Sequence, residues 1–91
     1  MDDQVCRRAL VRGKVQGVWF RASTQKRARQ LGVDGWAHNM PNGDVEVLMC
    51  GAPTAVAALE QWLHQGPPLA KVQSVESESA APIAVVGFTT G

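Results

Sequence analysis

Apolar and polar positions alternate along residues 5–13. Val5, Ala9 and Val11 fall on one face of an extended chain, and Cys6, Arg8, Leu10 and Arg12 fall on the other. A period of two with one mostly polar face predicts a strand in a sheet covered on one side only. At Phe20 the period changes. Phe20, Thr24, Ala28 and Leu31 recur at the spacing of a helical stripe. Gly32 then stands where a left-handed cap ends a helix over 20–31.

The stretches VDGWAHN (33–39) and DVEVLMC (44–50) read as the second and third strands. Asn42-Gly43 between them is a hairpin signal, because both residues tolerate positive φ. In the third strand Val45, Val47 and Met49 lie opposite Asp44, Glu46, Leu48 and Cys50. Residues 53–65 read as a second helix with Val56, Leu59 and Leu63 as its stripe, stopped by Gly66, Pro67 and Pro68. Residues 70–78 and 83–89 read as strands. The order is strand, helix, strand, strand, helix, strand, with one short strand added at the end. Strand-helix-strand crossovers are right-handed. The prediction is an α+β, ferredoxin-like split β-α-β sandwich with two helices on one face of an antiparallel sheet. The 91 residues form one domain, 1–91.

Charge sharpens this picture. The net charge is only +1, yet eight of the nine basic residues lie between Arg7 and Arg29, and no Asp or Glu falls between Asp3 and Asp34. A local field of that sign favours an anionic ligand. No apolar run is long enough to span a membrane. The opening MDDQVCRRAL lacks the apolar core of a signal peptide, so a cytoplasmic location is expected. Cys6 and Cys50 lack metal spacing, and His38 and His64 lack the company of a metal site, so no metal is expected. In the predicted fold Cys6 and Cys50 open and close neighbouring central strands on the helix-free face, where a disulfide is geometrically possible. A reducing cytoplasm favours two free thiols instead.

The segment between the first strand and the first helix carries the candidate chemistry. In GKVQGVWFR, Gly13 ends the strand and Phe20 begins the helix. Backbone N–H groups at such a junction collect partial positive charge. Gly17 lets the chain bend sharply and a ligand approach. Successive N–H groups in such a bend form an anion-binding concavity. Arg21 lies in the first helical turn, where a cation is unfavourable by about 0.3–1 kcal/mol. A tetrahedral oxyanion explains its placement, since guanidinium grips phosphate with two parallel hydrogen bonds. The loop lacks the Gly-Lys-Ser/Thr of a Walker motif, and no cysteine nucleophile precedes Arg21 at phosphatase spacing.

GKVQGVWFR resembles the signature of the acylphosphatase family, Gly-x-Val-Gln-Gly-Val-x-Phe/Tyr-Arg. Gly13, Val15, Gln16, Gly17, Val18, Phe20 and Arg21 fill its fixed positions. GWAHNMPNGDVEVLMCG (35–51) is similar to the second family signature, with Gly35, Trp36, Asn39, Gly43, Val45 and Gly51 in place. His38 departs from it, standing where the family more often has Lys, Arg or Gln. QGPPLAKV extends the resemblance, and GFTTG ends short of the family's usual basic or aromatic finish. The resemblance implies hydrolysis of the carboxyl-phosphate bond of small acyl phosphates, without metal or cofactor. It implies that the backbone N–H groups of Val15, Gln16, Gly17, Val18, Trp19 and Phe20 bind the phosphate together with Arg21. It also implies that Asn39 positions the attacking water. A monomer with no nucleic-acid or membrane partner is expected.

Elementary chemistry agrees. The predicted topology puts Asn39 on the same sheet edge as the 14–20 loop. Its carboxamide can accept from water and donate to a phosphoryl oxygen. The leaving group is already a weakly basic carboxylate, so His38 and His64 are read as bystanders, and Lys14 as a source of field at the rim at most. Trp19 either packs over substrate or covers the first helix. Three rivals share the same pattern. An RNA-binding module would need base-stacking aromatics on the central strands, whose exposed face offers none. A regulatory module of a larger enzyme is disfavoured by a chain of one domain. A non-catalytic phosphate sensor differs only in lacking turnover.

Overall fold

The computed structural model describes residues 4–91; Asp2 and Asp3 of the acidic opening lie outside them. In chain order the elements are β1 (Val5–Lys14), α1 (Phe20–Leu31), β2 (Asp34–Asn39), β3 (Val45–Gly51), α2 (Pro53–Leu63), β4 (Lys71–Ala80) and β5 (Phe88–Thr90). The sheet order is β4-β1-β3-β2-β5. β1 pairs antiparallel with β3 and β4, and β2 pairs antiparallel with β3. These four strands make the expected sandwich. β5 joins β2 in parallel, so the whole sheet is mixed.

The helical stripes and the apolar strand faces meet in one core. Ala9 and Val11 of β1, Ala37 of β2, and Val45, Val47 and Met49 of β3 pack with Phe20, Ala28, Val56, Leu59 and Leu63. Burying each large side chain here contributes about 1.5–3 kcal/mol. Phe88 joins them fully buried, and Trp62 meets Phe20 with ring centroids 5.9 Å apart. α1 ends as its glycine implies: Gly32 has φ 72° and its N–H reaches back to the last turn.

The helix-free face carries three features. Cys6 and Cys50 sit directly opposite each other on β1 and β3 and form a disulfide. This overturns the expectation of free thiols. A cross-link over a sequence separation of 44 restricts the unfolded chain by on the order of 3–4 kcal/mol in the loop-entropy account. Arg8 lies 3.7 Å from both Glu46 and Glu78, and Arg12 lies 3.4 Å from Asp44 and 3.5 Å from Glu76. Two of the eight clustered basic residues, Arg8 and Arg12, are therefore matched by acids of β3, of β4 and of the turn before β3.

The predicted strand over 83–89 is shorter and later than its alternation implies. Only Phe88 and Thr89 of that stretch lie in β5. β4 and β5 are opposite edges of the sheet, so residues 81–87 must cross its width and cannot pair alongside a strand. Val85 packs on the Cys6–Leu48–Cys50 cluster during the crossing, while Ile83 and Val86 stay exposed. The chain then docks through Gly35 N–H to Gly87 O at 2.9 Å and Gln25 Nε2 to Phe88 O at 2.8 Å. That brings Thr90 and Gly91 beside the start of α1. No helix among the described residues is long and apolar enough to cross a membrane.

Candidate active site

The loop between β1 and α1 is pinned from below and open above. A register shift at Arg12/Gly13 turns the chain out of the β1–β4 ladder. Val15 and Val18 then bury their side chains in the core, at 1% and 6% exposure. Gly17 has φ 72°, with nothing within 4 Å of the position a Cβ would take. Conformation, not space, is what calls for glycine there. Trp19, the residue that caps α1, has φ 65° and ψ 17°. It is the one non-glycine among the described residues with positive φ. Holding such a residue left-handed costs on the order of 1–3 kcal/mol.

The result is a row of available donors. Among the described residues, no backbone or side-chain acceptor takes an N–H from Val15 to Phe20. Left-handed bends of this kind gather successive N–H groups into an anion-binding concavity. Arg21 follows, half-exposed in a first turn that holds no acidic residue. It pairs with no Asp or Glu side chain among the described residues. Its Nη1 lies 3.4 Å from the Gly91 carbonyl oxygen.

Asn39 comes from the other half of the sandwich. It ends β2 opposite Val45, and its side chain is exposed. Because β1 and β2 run parallel with β3 between them, Asn39 and the loop emerge on one sheet edge. The β2–β3 turn uses Pro41, Asn42 and Gly43, closed by Gly43 N–H to Met40 O at 3.1 Å. Only Gly43 of the Asn-Gly pair takes positive φ. The turn is therefore longer than the two-residue hairpin that the pair suggests.

Val15, Gly17, Trp19, Phe20, Arg21 and Asn39 line one open cavity of about 300 Å³, together with Ala22 and Thr90. Phe20 itself is buried and joins the wall from the core side. Gln16 and Val18 do not line it. The Gln16 side chain does something the loop signature does not foretell. Its Nε2 donates to Met40 O at 2.8 Å and to Asp44 O at 2.9 Å. This ties the loop to the turn that follows Asn39 and fixes their separation. Thr90 was also out of reach of sequence reading, because its place depends on the late β5 pairing.

Other candidates fall away from the cavity. His38 stacks on Trp36 with centroids 4.3 Å apart and planes 6° apart, across from Glu46 on the helix-free side. His64 caps the end of α2. Lys14 is exposed and does not line the cavity. Trp19 does not cover α1: it is 75% exposed. Among the described residues no three His, Cys, Asp or Glu side chains converge as metal ligands do.

The chain matches the acylphosphatase family over residues 7–90. It is 54% identical over 84 residues to an acylphosphatase of Halorhodospira halophila, covering 92% of this chain and 91% of that one. Its fold superposes on the structure of an acylphosphatase from Coxiella burnetii with a TM-score of 0.93 and 39% identity, covering 97% and 93% of the two chains. For the crystal structure of acylphosphatase from Bacillus subtilis the TM-score is 0.92 and the identity 28%, covering 96% and 98%.

Proposed function

The chain belongs to the acylphosphatase family and hydrolyses acyl phosphates, and we propose that the 15–20 amides, Arg21 and Asn39 carry out that reaction. The phosphoryl group enters the loop, where the amides of Val15, Gln16, Gly17, Val18, Trp19 and Phe20 donate to its oxygens. Arg21 adds two charge-assisted hydrogen bonds. The Asn39 carbonyl oxygen accepts from a water, and its NH₂ donates to a phosphoryl oxygen. The water oxygen attacks phosphorus, the bond between phosphorus and the acyl oxygen breaks, and carboxylate leaves. The water's protons pass to phosphate and solvent. No general acid is needed for so weak a base, and catalysis is positioning plus stabilisation of phosphoryl charge. Arg21 and the amides supply that stabilisation without a metal.

One observation carries this reading. Arg21, Gly17 and Asn39, from three separate elements, line the same small cavity. Matching of Arg8 and Arg12 by Glu46, Glu78, Asp44 and Glu76 weakens the nucleic-acid alternative. We read the protein as a monomer whose partner is the small acyl phosphate itself. The test is Asn39→Ala assayed with benzoyl phosphate in chelator-treated buffer. Loss of one preorganised donor lowers kcat by about 10²–10³, while competitive inhibition by inorganic phosphate persists. Full turnover by this variant removes the water-positioning role. Failure of the parent protein to turn over benzoyl phosphate, with phosphate still bound, favours the sensor.

A further inference from the structure

Trp19 combines three properties that the fold does not explain. Its backbone is left-handed, alone among the described non-glycine residues. Its indole is 75% exposed and joins neither apolar cluster. It provides no side-chain cap for α1. A large ring held out of the core in an unfavourable conformation does nothing for stability, and such strain gathers where ligands are held. The ring stands at the wall of the cavity that contains Arg21 and Asn39.

We propose that the Trp19 indole is the platform for the acyl group and selects flat, apolar acyl phosphates over small ones. This rests on the phosphate site assigned above. With the phosphoryl group in the loop and water held by Asn39, in-line displacement sends the acyl carboxylate out of the cradle. The remaining walls beside it are small or buried: Val15, Ala22 and Thr90. Trp19 is the one wall residue with an exposed aromatic face for that group to meet. An aromatic acyl group gains offset or edge contacts with the indole, whereas an acetyl group is too small to use it.

The test compares kcat/KM for benzoyl phosphate and acetyl phosphate in the parent, Trp19→Ala and Trp19→Phe proteins. Both variants keep the residue 19 amide and both carry a Cβ at positive φ, so the ratio of the two substrates isolates the ring. In Trp19→Ala the benzoyl-to-acetyl ratio falls by about three- to tenfold, whatever common change affects both substrates. In Trp19→Phe most of the ratio is retained. An unchanged ratio in Trp19→Ala overturns the platform. Inhibition of the parent by inorganic phosphate is measured alongside: its absence strikes the phosphate cradle, not the platform.

Discussion

The two helices hold equivalent places in the two halves of the sandwich, yet they begin differently. α2 starts from an extended Ala52, φ −59° and ψ 141°, with Pro53 as its first helical residue. Proline there removes a donor that would otherwise need a partner and presets the helical φ. α1 starts from a loop with two left-handed residues, Gly17 and Trp19, and no proline. Neither helix has a side-chain cap or a first-turn acid. At α2 the missing cap is met by having fewer orphan donors. At α1 every donor is kept, a cation is added in the first turn, and the chain is bent at a cost to stability. The difference is what the proposed phosphate site at the α1 start requires.

Substitutions at the two starts should therefore behave oppositely. Arg21→Ala has the largest expected effect: kcat/KM for benzoyl phosphate falls by at least about 10³, and inhibition by phosphate is lost. Steady-state rates and phosphate inhibition check this. Gly17→Ala comes next. There is room for the methyl group, but φ 72° is unfavourable for alanine. The expected loss is about 1 kcal/mol. In a domain of this size that lowers Tm by about 4–8 °C, with weaker phosphate affinity beside it. Calorimetry and a phosphate titration check both. Ala52→Asp has the smallest effect and the opposite sign. It supplies α2 with the cap it lacks and stabilises by about 0.5–1 kcal/mol, with the hydrolysis rate unchanged. A loss of rate in Ala52→Asp, or a gain of stability in Gly17→Ala, would erase the contrast between the two starts.

What could be read from the chain was what is local. Gly13–Arg21 is contiguous, so its glycines, apolar anchors and arginine already describe a bend before a helix. Asn39 joined it because a split β-α-β order makes β1 and β2 parallel and leaves their ends on one edge. The Gln16 cross-link needed more, since its acceptors are carbonyls of a turn whose conformation the Asn42-Gly43 pair left open. Thr90 needed more still: Ile83 and Val85 alternate as in a strand, yet the sheet order forces that stretch to cross the face. The Cys6–Cys50 pair is legible as geometry, because strand alternation puts both side chains on the helix-free face of neighbouring strands, but whether two opposed thiols are oxidised is not written in register.

The most direct test of the central claim is an amide NMR titration of the folded protein with inorganic phosphate. The account predicts that the largest shifts fall on the N–H groups of Val15 to Phe20 and on the Arg21 guanidinium. Largest shifts at the start of α2, or at Arg8 and Arg12 on the helix-free face, would contradict it.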